Sequence, residues 1–192
     1  MSNSNKVVLK GKELKLIFII LSLVIISFLL YKHLEPMLLY KPLNLYNYHG
    51  QILTFRADLR EAKNVQVYPD DSTIFNMVMN PNLKNVTIVF VPSKDNGIVG
   101  VDGFEVSRKL AIAYNYSGYR IPIKGEPVDS YELSGTNDSL IIALIPPVFS
   151  NDTSVRAKNN VILISGKTYK DFDLSTIRFL MIILEIKLSD LE

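Results

Sequence analysis

The sequence predicts an α/β fold: a single N-terminal transmembrane helix followed by one three-layer α/β domain with a mixed, mostly parallel sheet. Three observations carry that expectation. Residues 16–31 are sixteen consecutive residues without a charge. Further on, Val86–Val91, Leu140–Ile145 and Val161–Ile164 are short, almost wholly apolar runs closed by Pro92, by Pro146-Pro147 and by Ser165-Gly166. Segments with helical signals lie among and after them. Apolar runs without alternation mark strands buried on both faces, and strands interleaved with helices make layered α/β domains.

The uncharged run is read as a membrane anchor over residues 14–34. Sixteen helical residues rise roughly 24 Å, close to the hydrocarbon thickness, and snorkelling Lys15 and Lys32 extend the reach. A cleaved signal peptide fits less well, because no small-x-small site follows; Tyr31–Pro36 is bulky and charged. Lys6, Lys10, Lys12 and Lys15 precede the span. The positive-inside bias therefore leaves residues 1–13 as a basic cytoplasmic tail and exports the rest. Residues 35–50, with two prolines and three tyrosines, read as a membrane-proximal linker, and 51–192 as the extracytoplasmic domain. The triplets at Asn85, Asn115, Asn137 and Asn151 have the N-x-S/T form of exported chains, though asparagine is abundant here.

Within the domain, Ile52–Phe55 and Val65–Tyr68 alternate in polarity and read as outer strands. Ile121–Ile123 is an edge strand at best, since Pro122 cannot donate to a ladder. Asp71–Asn80 opens on cap residues and stops before Pro81, so it reads as a helix. Asp102 followed by Glu105 resembles a capping box that opens a helix ending at Gly118. Asp171 opens the last helix, whose apolar stretch Phe179–Leu184 is too short for a second span. The glycines at 97, 100 and 103 do not have the dinucleotide-binding spacing and read as a tight turn before a helix.

Composition removes several function classes. The chain carries 21 basic and 19 acidic residues, but the excess lies in the tail, and the part after residue 33 has sixteen basic against eighteen acidic residues. A nucleic-acid surface needs a concentrated basic stripe, and there is none. With no cysteine, disulfides, thiolate nucleophiles and Cys-ligated metals are excluded. The two histidines, His33 and His49, both fall near the anchor, so a Ser-His-Asp triad or a His-ligated zinc has little to draw on.

Ligands of open α/β sheets gather beyond the carboxyl ends of the strands. The turns expected there supply Asp70 and Asp71; Lys94, Asp95 and Asn96; Asp152 and Thr153; Lys167 and Thr168. These are the candidate ligand-binding residues. Asp70 and Asp71 are the candidate metal ligands, with a third oxygen from Asp95 or Asp152. The competing reading makes Asp71 a helix cap with Asp70 in water. Ser165-Gly166-Lys167-Thr168 has the ending of a phosphate-binding loop, but Val161 stands where that loop needs its first glycine. A Ser–Lys hydrolase has only Ser93/Lys94 and Ser165/Lys167 to use, neighbours in turns that rarely aim at each other.

The expected function is therefore that of a single-pass membrane protein whose outward domain is a non-catalytic binding or assembly module. Its partners are the bilayer through residues 14–34 and a membrane or envelope protein, with no cofactor and no nucleic acid. The alternative is a small extracytoplasmic enzyme or divalent-metal-dependent binding domain built on the acidic turns.

Overall fold

The computed structural model describes residues 21, 22, 24–27, 44–187 and 189. The chain divides into two compact units, residues 1–41 and 42–192. In the first, residues 21, 22 and 24–27 are helical and exposed. Most of the 14–34 anchor lies outside the described residues, and among those described no helix is long and apolar enough to cross a membrane.

The second unit begins with a hairpin. Strand β1 (Asn44–Tyr48) pairs antiparallel with β2 (Gln51–Phe55), Asn44 opposite Phe55. Only His49 and Gly50 join them, at φ 48° and 86°. A two-residue turn matching the strand twist requires positive φ at both positions, and glycine accepts it freely. Asn47 Oδ1 takes the Gly50 N–H at 2.8 Å and closes the turn. Tyr46 and Tyr48 pack on the domain core, so residues assigned to the linker by sequence form part of the folded unit.

The elements that follow are α1 (Leu59–Ala62), β3 (Gln66–Tyr68), α2 (Asp71–Val78), β4 (Asn85–Phe90), α3 (Asn96–Tyr116), β5 (Ile123–Pro127), β6 (Ser139–Ile145), β7 (Ser154–Lys158), β8 (Val161–Ser165) and α4 (Tyr169–Ile183). The six-stranded sheet has the order β3-β7-β8-β6-β4-β5. β5, β4, β6 and β8 are mutually parallel. β7 runs against β8, and β3 runs with β7, so the last two strands are reversed. The reversal is a second hairpin, turned by Asn159 and Asn160 at φ 52° and 56°; asparagine tolerates that region better than most residues.

The three apolar runs form β4, β6 and β8 inside the sheet; β5 is an edge strand, but it runs Ile123–Pro127 and leaves Ile121 and Pro122, expected within it, ahead of its start. Layering differs from expectation. One buried cluster unites residues of all four helices with one sheet face: Val86, Ile88, Leu140, Ile142, Leu144 and Ile164 among them. The alternate residues Thr87, Val89, Ala143 and Val161 are also buried but stand outside that cluster. The link between β5 and β6 serves this second face. Tyr131 Oη donates to Leu144 O at 2.6 Å and accepts from Val91 N, and Gly135 N reaches Asn159 O at the far end of the sheet. The strands are apolar on both sides because irregular chain, rather than a second helical layer, covers one of them.

Candidate functional site

The sequence-derived residues fall into two groups at opposite ends of the sheet. Because β7 and β3 are reversed, the carboxyl end of β3 lies opposite those of β4, β6 and β8. Asp70 and Asp71 are therefore separated from Asp95 and Asp152, and the three-carboxylate metal set does not assemble. Among the described residues no group of three or more acidic or histidine side chains is placed to hold a metal ion.

Asp70, not Asp71, caps α2. It accepts from Thr73 N and Thr73 Oγ1 at 2.8 Å each and from Ser72 Oγ. Those bonds favour the anion and lower its pKa to about 2. Asp71, in the first helical turn, is held by Arg178 of α4 at 2.7 and 2.8 Å. It borders a cleft of about 320 Å³ with Phe75, Met181 and Ile186.

The other group lies at the carboxyl ends of the parallel strands. Asp95 is buried, accepting from Tyr169 Oη at 2.9 Å and Val148 N at 3.4 Å. Asn96 Oδ1 accepts from Ser93 N, and Thr153 Oγ1 accepts from Lys167 N at 3.3 Å. Asp152 takes Ser154 Oγ at 2.6 Å and pairs with Arg156 at 2.7 Å, and its pKa is lowered chiefly by the serine bond. Thr168 caps α4 through a reciprocal exchange with Asp171. Lys94 and Lys167 are exposed. These polar groups mostly bond to one another and shape the turns.

Gly166 has a packing role. A Cβ there would stand 2.2 Å from Phe172 N and 2.4 Å from its Cα. The glycine lets the first turn of α4 fold back on the end of β8, and Ser175 Oγ then donates to Ser165 O at 2.7 Å.

Two features were missed by sequence reasoning. The first is a buried ionic cluster between the hairpin, α3 and α4. Asp102, Glu105 and Lys109 line one side of α3, and all three are buried, as is Asp173 on α4. Arg56, just after β2, approaches Asp102 at 3.4 Å and Asp173 at 3.7 Å. Lys109 Nζ bonds to the Glu105 carboxylate, donates to Thr54 O at 2.7 Å, and lies 4.2 Å from the Phe55 ring centroid. Burial first, then the neighbouring Asp173 charge, pushes Asp102 well above the usual carboxylate range; Arg56 opposes this. Asp173 is raised too, by burial. Neither Asp102 Oδ2 nor Asp173 Oδ1 finds a well-formed hydrogen bond. The cluster ties β2 to two helices.

The second feature is an apolar groove of about 310 Å³ between α3 and the sheet edge, lined by Ile88, Phe90, Phe104, Ile123, Gly125 and Leu144. The glycines at 97, 100 and 103 lie inside α3, which starts at Asn96 rather than Asp102. Spaced by three, they share one side of the helix. Gly100 and Gly103 line the groove, and a Cβ at Gly103 would stand 3.4 Å from Leu144 Cδ1. Phe104 beside them is 67% exposed, the largest exposure of any large apolar side chain in the described domain.

Comparison with known proteins finds no matching family model, no similar curated protein and no similar solved structure.

Proposed function

We propose that this chain is a single-pass membrane protein whose folded unit, held outside the cytoplasm, is a non-catalytic assembly module for a membrane or envelope protein. The anchor rests on the uncharged run at 16–31 and its lysine-rich flank. The observation that carries the binding role is the groove: an apolar recess with an exposed phenylalanine, opening beside a strand that has no neighbour on its outer side among the described residues. Exposed aromatic anchors next to apolar recesses are where binding energy concentrates. Asp70 and Asp152 are committed to a cap and a turn, and Asp102, Glu105, Lys109 and Asp173 to the buried cluster, which suits a scaffold.

Co-purification of the intact chain from detergent extracts tests the reading. A membrane protein should accompany wild type, and Phe104→Asp should release it while the melting temperature stays within a few degrees. Turnover across hydrolase substrate panels, or release of the chain from vesicles by carbonate, would overturn it.

A further inference from the structure

We propose that the docking partner of the β5 edge is a second copy of this chain, paired antiparallel about a two-fold axis through Gly125. This deepens the assembly-module reading and rests on it. The ladder between β4 and β5 fixes which backbone groups are committed. Val86 N donates to Pro122 O and Val128 N to Phe90 O, each at 2.9 Å. In a parallel ladder, backbone direction alternates from residue to residue. Lys124 and Glu126 therefore turn their backbone groups toward β4, while Ile123, Gly125 and Pro127 turn theirs outward.

The outward row is self-complementary in one register. With Gly125 on the axis, the two glycines exchange both bonds, and each Ile123 N–H meets the partner's Pro127 C=O. Lys124 then stands opposite the partner's Glu126 and Glu126 opposite the partner's Lys124, giving two cross-strand ion pairs. Lys124 and Glu126 already lie on one face, 3.1 Å apart within the strand. A slip of one step in either direction sets lysine against lysine or glutamate against glutamate, and like charges directly opposed are disfavoured. A pairing centred on Pro127 has no N–H to offer. Charge and donor count thus select the same register.

On the groove side, that register sets Ile123 against the partner's Pro127 and glycine against glycine. The absence of side chains on the axis leaves room for the Phe104 rings to close over the seam. Four backbone bonds make a modest interface. Two copies tethered in one bilayer meet at high effective concentration, which lets a modest interface suffice.

The chain's lack of cysteine makes the test direct. Full-length Lys124→Cys and Glu126→Cys proteins, co-reconstituted in vesicles and oxidised, should form a disulfide-linked dimer. Residues opposite each other in a non-hydrogen-bonded pair are about 4.5 Å apart between Cα atoms, within disulfide range. The mixture should yield roughly tenfold more linked dimer than either protein alone. Equal yields in all three samples would overturn the proposal. In detergent, Lys124→Glu should weaken the dimer about tenfold and Lys124→Glu/Glu126→Lys should restore it; insensitivity to both would also overturn it. If the chain proves monomeric while Phe104→Asp still strips away a different membrane protein, the second-copy proposal falls and the assembly-module reading stands. If neither association exists, both fall.

Discussion

Asp70 and Asp102 share a side chain and meet opposite environments. Asp70 stands in water at the start of α2, and serine and threonine donors around it hold its pKa down to about 2. Asp102 is walled in by β2, α3 and α4, 2% exposed, and burial beside a second carboxyl pushes it up. The first is an anion whose oxygens are filled by local chain; the second is pushed toward its neutral form because water is absent and Arg56 must serve two acids. Charge on this domain is thus governed by donor supply rather than by residue type.

That contrast breaks most severely at Arg56. Arg56→Ala leaves Asp102 and Asp173 facing each other without their shared cation, and should cost about 3 kcal/mol or more of stability in denaturant unfolding. Gly166→Ala comes next, at roughly 1–3 kcal/mol, because a methyl group would have to displace helix backbone rather than a flexible side chain. It probes whether the glycine of the Ser-Gly-Lys-Thr turn is there for packing; a variant as stable as wild type would return the turn to the list of ligand sites. Tyr131→Phe removes the hydroxyl that bonds both Leu144 O and Val91 N, and should lose about 1–2 kcal/mol.

The sharper test is pH. Asp102 and Asp173 have raised values, so the folded chain binds more protons than the unfolded one above about pH 4, and their contribution declines as pH rises through the raised values. Asp70 has a lowered value, so its contribution is present above the ordinary carboxylate range and is lost as pH falls through about 2. Asp102→Asn removes the titrating group at nearly constant shape and should flatten the decline on the alkaline side while leaving the acid side unchanged, as read from melting temperatures against pH. Asp70→Ala should do the reverse, with the smallest effect of the set, a few degrees at neutral pH.

The central strands were legible in the sequence because almost wholly apolar runs bounded by proline or glycine have few other readings; the edge strand expected at Ile121–Ile123 instead begins after Pro122 and runs Ile123–Pro127. The missed elements had weaker patterns. β7, Ser-Val-Arg-Ala-Lys, offers only two apolar residues, and its lower half is open to solvent; β1 is tyrosine- and asparagine-rich and resembled a linker. The reversal at Asn159–Asn160 mattered most. Without β7, β3 appeared parallel to the rest, and Asp70 and Asp71 appeared to join Asp95 and Asp152. Asp102 and Glu105 fit a capping box by spacing alone, yet the helix had begun six residues earlier, and burial gave both acids another task. The expected helices on both faces failed because apolar strand sides record burial without recording what does the burying. The anchor, the exported orientation and the partner are beyond the described fold and rest on residue pattern.

The first rung of the hairpin, Asn44 opposite Phe55, joins a strand at the margin to one fastened deep inside: Phe55 is wholly buried, and Lys109 grips the carbonyl beside it. Traction arriving from residues ahead of Asn44 would load that rung before any other. To come away, β1 would have to give up both its pairing with β2 and the contacts of Tyr46 and Tyr48 with the core, while β2 is held further by Phe55 and Lys109.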